Sequence, residues 1–150
     1  MLAAIRPDSW NLALFLHVLG AMLTFGATAT VAMIGFAGAR RDAEGGQWLR
    51  RLSLRIALFV LVPSFILMRA AAGWIAGKEY PGDAKTPGWL DVGFIVTDPG
   101  AVLILIMLIL AWLGARRADS RIGAAVPWLA GVYVVALGIA WFAMSAKPGS

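Results

Sequence analysis

Of the 150 residues, 61% are hydrophobic and 14% charged, with a mean hydropathy of +0.81; a soluble domain carries roughly a quarter charged residues, so a bilayer is the expected solvent. The net charge is +5, but the arginines fall in two short clusters beside apolar runs, a pattern that membrane topology explains better than nucleic-acid binding. Cysteine is absent, which excludes disulfides, thiolate metal sites and cysteine nucleophiles, so redox work would need a bound cofactor.

The first apolar run covers about 10–38, well beyond the roughly 7 to 15 residues of a signal-peptide core, and reads as an uncleaved first span. The polar segment 40–46 breaks it, and 48–55 reads as an arginine-rich lead into a second span over about 56–77. Pro63 lies inside that span. A membrane helix tolerates it where neighbours or Ser64 satisfy the freed carbonyl, so a kink is expected there. Pro81-Gly82 and Pro87-Gly88 mark an exposed loop. The third span has two readings. Asp98-Pro99 is a good helix start, yet 99–112 alone reaches only about 21 Å, short of the roughly 30 Å hydrocarbon layer. A helix over about 91–113 that bends at Pro99 is preferred to a separate interfacial or re-entrant piece over 89–97. The fourth span runs over about 126–146. Residues 1–150 thus read as a single transmembrane domain, all-α, a four-helix bundle. No internal repeat stands out, so an inverted-repeat transporter has no support.

Basic-residue asymmetry orients the spans. Arg40, Arg41, Arg50, Arg51 and Arg55 lie in the first connection and Arg116, Arg117 and Arg121 in the third, against Arg6, Lys78, Lys85 and Lys147 on the other side. Eight against four places the arginine loops in the cytoplasm and both termini on the non-cytoplasmic side of a cell inner (plasma) membrane. Trp10, Trp74, Trp89 and Trp141 then fall toward the outer ends of the spans and Trp48, Trp112 and Trp128 toward the inner ones, as two aromatic belts.

Ionisable groups within the spans are few: His17, Arg69 and Asp98, with Lys147 at the end of the fourth. Each costs several kcal/mol in hydrocarbon unless paired or wet. Counted from the span ends, His17, Arg69 and Asp98 all lie roughly 10 to 12 Å below the outer boundary. Two readings of that common level are open. One is an Arg69–Asp98 ion pair fastening the second helix to the third, with His17 hydrogen-bonded nearby. The other is a cavity open to the outside, in which His17 ligates a cofactor or handles a proton and Arg69 holds an anion.

His17, Gly20, Ala21, Thr24 and Thr28 recur at spacings of three and four and give the first helix a narrow face of small and polar residues, read as helix packing. Gly73 and Gly77 form a GxxxG pair that permits close approach inside the bundle or to another copy. The methionines are scattered and His17 is the sole histidine, so no metal site is expected, and no catalytic motif is present.

The stretch Leu16-His17-Val18-Leu19-Gly20 with Gly26, the central Leu67-Met68-Arg69-Ala70-Ala71-Ala72-Gly73-Trp74-Ile75, and the closing Ala143-Met144-Ser145-Ala146-Lys147-Pro148 together resemble a bacterial family of four-helix integral membrane proteins to which no reaction is assigned. More remotely, an early histidine in the first span and a lysine-proline pair ending the fourth are similar to the short membrane-bound protoporphyrinogen oxidases and the membrane domains of copper-resistance D proteins. That resemblance implies haem b at His17 and an activity-linked lysine at Lys147. With one histidine in the chain, bis-histidine ligation within it is excluded.

Three functions are therefore carried forward. The leading one is an accessory or structural membrane protein without catalysis, whose polar cluster is a fastening. The second is a haem- or quinone-associated membrane oxidoreductase using His17, with Arg69 and Lys147 facing an anionic group of the cofactor. The third is a small transporter or channel. Membrane lipids, a second copy of the chain or another membrane protein are the expected partners; nucleic acid is not.

Overall fold

A computed structural model describes residues 11–41, 43–80, 87–116 and 121–146. In chain order these form α1 (Asn11–Gly38), α2 (Ala43–Ile56), a π-helical turn (Ala57–Leu61), α3 (Val62–Glu79), α4 (Gly88–Arg116), a 3₁₀ turn (Arg121–Ala124) and α5 (Ala125–Ala146). Because α2, the π turn and α3 run end to end, the described residues make four helical rods. Each contains a stretch long and apolar enough to cross a membrane: Asn11–Gly38, Glu44–Glu79, Gly88–Arg116 and Ile122–Ala146. The protein is an all-α four-helix bundle of multi-pass membrane type.

Lipid is as apolar as leucine, so these helices gain little by hiding hydrophobic surface from it; close packing of small residues must hold them. The buried positions fit that requirement. α1 buries Ala13, Gly20, Thr24, Ala27 and Thr28, and α5 buries Ala130, Ala140 and Ala143. Larger side chains fill the centre, where Val31, Leu61, Met107 and Tyr133 are almost wholly enclosed. α1 is the hub, packing extensively on α3, α5 and α2, while α4 packs on α5 and α2. No comparable contact joins α3 to α4. Where α1 turns into α2, a Cβ on Gly46 would stand 2.9 Å from the Gly38 carbonyl oxygen. Only glycine lets the two backbones cross so closely. The ends of α1 and α5 meet through an edge-to-face pair of Phe36 and Trp128, 5.0 Å between centroids.

Three features refine the sequence reading. First, the arginine-rich lead over 48–55 is part of the same helical rod as the second span. At about 1.5 Å per residue the 36 residues of Glu44–Glu79 measure about 54 Å, so α2 extends well past a hydrocarbon layer of roughly 30 Å. Second, the helix passes through Pro63 by way of the π turn before it, where the Val62 N–H bonds to the Ala57 carbonyl, five residues back. The Ser64 hydroxyl lies against the carbonyls of that widened turn, donating to Val60 O at 2.7 Å and within 3.0 Å of Leu61 O. Third, α4 is one unbroken helix from Gly88 through Pro99 to Arg116, so 89–97 is not a separate re-entrant piece.

Candidate functional site

The polar groups singled out in the spans are held by two different helix contacts. On α1, His17 Nδ1 lies 3.1 Å from the backbone carbonyl oxygen of Met68 on α3. A carbonyl only accepts, so Nδ1 carries the proton in this bond; in the neutral ring Nε2 is then the nitrogen with the lone pair. One turn along, Gly20 faces the same residue: a Cβ there would come within 2.6 Å of the Met68 nitrogen and 2.8 Å of its Cα. Backbone therefore meets backbone. One turn further, Thr24 Oγ1 donates to Ser64 Oγ at 3.3 Å, and Thr28 Oγ1 returns a proton to Thr24 O at 2.7 Å. Both threonines are fully buried. His17, Gly20 and Thr24 thus form a seam between α1 and α3, small enough for close approach and polar enough to satisfy itself without water.

The second contact joins α3 to α4. Arg69 Nε and Nη2 both donate to Asp98 Oδ1, at 3.0 and 2.7 Å, and the guanidinium stacks 4.8 Å from the centroid of Phe94, one turn before Asp98 on the same helix. Arg69 spans a gap that the backbones leave open. The pair is not enclosed by the bundle, the side chains being 34% and 58% exposed. Asp98 sits on an outward stripe of α4 with Ile95, Val102 and Leu105, all exposed.

Met68 and Arg69 are neighbours in sequence but a third of a helical turn apart, so the common level of His17, Arg69 and Asp98 is built as two contacts on different faces of α3. Among the described residues no hydrogen bond links His17 to Arg69 or Asp98. Gly73 and Gly77 are exposed, with no described atom within 4 Å of an added Cβ; that flank of α3 is open, and the glycine pair does not pack inside the bundle. Lys147 lies outside the described residues.

A polar group that the sequence reading passed over is Tyr133 on α5. It is 2% exposed, and its hydroxyl has no hydrogen-bond partner among the described residues. The ring lies against Gly100 of α4, where a Cβ would collide with the tyrosine Oη, Cε2 and Cζ. A search for charged groups could not find it. The available signal was a single tyrosine amid an apolar span.

Haem b held by a histidine needs an imidazole nitrogen with a free lone pair, together with groups that hold the propionates. His17 fits the first, because a histidine ligand characteristically donates its other ring N–H to a carbonyl, as Nδ1 does to Met68 O. Two of the five N–H donors of Arg69 are directed at Asp98, so a propionate there would share the guanidinium with that carboxylate. Comparison with known proteins adds no relative: no family model matches the chain, no curated protein matches it, and no solved structure matches it.

Proposed function

We propose that this protein is an accessory or structural component of the cell membrane, whose intramembrane polar groups fasten its own helices. The Arg69–Asp98 contact carries this reading: two donors converge on one carboxylate oxygen between α3 and α4, two helices whose backbones hardly approach although α2 of the same rod packs on α4. The seam of His17, Gly20 and Thr24 supports it from the other side of α3. A double-mutant cycle tests it, using thermal unfolding in detergent. Arg69→Leu and Asp98→Leu each lower the midpoint, and the double variant recovers part of the loss. Strictly additive losses would remove the fastening.

In the same reading the arginine-bearing turns face the cytoplasm and both termini lie on the non-cytoplasmic side of an inner (plasma) membrane. The excess of eight basic residues over four supports this. Reporter fusions to the two termini and to the 40–46 turn test the orientation.

A second reading rests on His17 alone. With Nδ1–H directed at the Met68 carbonyl, Nε2 is prepared to accept, which suits an axial ligand or a hydrogen bond from a quinol hydroxyl. Absorption spectra of protein expressed with a haem precursor, oxidised and then dithionite-reduced, decide between the two. A stoichiometric Soret band lost in His17→Ala would establish the redox reading. A colourless, folded protein would end the haem form of it.

A further inference from the structure

The rod formed by α2, the π turn and α3 carries a patterned outward stripe where it leaves the hydrocarbon. Trp48, Arg51 and Arg55 follow each other at spacings of three and four, with Leu52 beside them, and the four line a shallow groove of about 170 Å³. Trp48, Arg51 and Arg55 are exposed, and neither guanidinium has a hydrogen bond or ion pair among the described residues. The neighbouring Arg50, by contrast, turns to the Gly46 carbonyl on the side facing α1. The stripe continues without a break into Leu58 and Phe59, 43% and 76% exposed. Along the axis, Phe59 lies about 6 Å from Arg55 and about 12 Å from Arg51. The order is therefore apolar side chains, then two cations one turn apart, then an indole.

That order matches the depth profile of a phospholipid. Acyl chain meets Leu58 and Phe59, phosphate meets the two guanidiniums through charge-assisted hydrogen bonds, and the indole sits at headgroup level. A soluble anion would have no use for the apolar continuation, and a zwitterionic headgroup would place its own cation against the arginines. We propose that this groove binds an anionic phospholipid, with its phosphate between Arg51 and Arg55 and its chains along Leu58 and Phe59. The inference rests on the rod crossing the bilayer and is independent of the Arg69–Asp98 fastening, whose variants should leave it untouched.

Native mass spectrometry of the full-length protein in a nonionic detergent tests it, with phosphatidylglycerol as probe and phosphatidylcholine of the same chains as control. Phosphatidylglycerol adducts should persist on the wild type where phosphatidylcholine adducts do not. Retention should fall about thirtyfold in R51Q/R55Q, at roughly 1 kcal/mol for each arginine, and persist in R40Q/R41Q, which removes the same charge from the adjacent turn. Thermal unfolding in lipid-free detergent should give matching midpoints for the variants, because the altered side chains are exposed; the single R55Q variant, losing about fivefold, is read if the double variant unfolds. Undiminished retention in R51Q/R55Q or in R55Q overturns the proposal. So does equal loss in R40Q/R41Q, which would mean diffuse charge, or displacement of the lipid by millimolar inorganic phosphate, which would mean a free-anion site.

Discussion

Arg69 and Asp98 join α3 to α4 at a level where the two helix backbones hardly approach, and they do so through Nε and Nη2 of one guanidinium on a single carboxylate oxygen. The two ends of this bond differ in what each can do alone. Arg69 without its partner still stacks on Phe94 and has a stem long enough to snorkel toward water. Asp98 without its partner is a short, half-exposed carboxylate on an apolar stripe. Arg69→Leu is therefore expected to cost more than Asp98→Leu, by about 1 kcal/mol, and Arg69→Lys to restore only part of the loss. Unfolding midpoints of the purified variants in one detergent measure the asymmetry.

The glycines separate into two classes. A methyl group at Gly20 meets the nitrogen, Cα and Cβ of Met68 at 2.6 to 2.9 Å, atoms that can move only if α1 and α3 part. Gly20→Ala should destabilise the bundle by about 1 to 3 kcal/mol. Gly73→Ala and Gly77→Ala meet nothing among the described residues and should leave the monomer unchanged or slightly more stable, through helix propensity. Should either of them weaken self-association in cross-linking or light scattering, the open flank of α3 is an interface between copies.

Tyr133 presents a buried hydroxyl without a partner. If the site is as dry as its burial implies, Tyr133→Phe removes a desolvated polar atom while keeping the ring against Gly100, and the midpoint should rise, corresponding to about 1 kcal/mol. A fall instead would reveal that the hydroxyl binds a water or a ligand in the folded protein. Gly100→Ala, which drives a methyl group into the same ring, should destabilise in either case.

His17→Gln distinguishes fastening from ligation. The glutamine amide can donate to the Met68 carbonyl as Nδ1 does, whereas His17→Ala cannot; under the fastening reading His17→Ala costs about 1 kcal/mol and His17→Gln little. Under the haem reading both lose the Soret band, since neither retains an imidazole.

Much of this architecture is legible in the residues. The four apolar runs and the arginine clusters determine the spans, because the bilayer admits only helices of a certain length and apolarity. The common level of His17, Arg69 and Asp98 follows from counting along helices at a fixed rise, while the cost of leaving either charge alone in lipid makes the Arg69–Asp98 pair one of two readings, beside a cavity open to the outside. Trp48 to Arg55 was harder to place. Its charge density reads as a loop approach, yet an arginine-rich stretch keeps good helix propensity and continues the rod. Pro99 weakened the helix signal over 89–97 in the same way, although a proline inside a membrane helix removes one hydrogen bond without ending the helix.

Sequence alone therefore determined the number of helices, their approximate ends and which side chains could not sit in lipid unpartnered, because these depend on each residue's own transfer cost and on regular helical rise. Tertiary structure decided the rest: that His17 engages the Met68 carbonyl instead of Arg69 or Asp98, that Gly20 packs while Gly73 and Gly77 face outward, and that Tyr133 is enclosed against Gly100. Those outcomes depend on the rotation of each helix about its own axis, and in a bundle whose exterior is as apolar as its interior, hydrophobic periodicity carries little record of that angle.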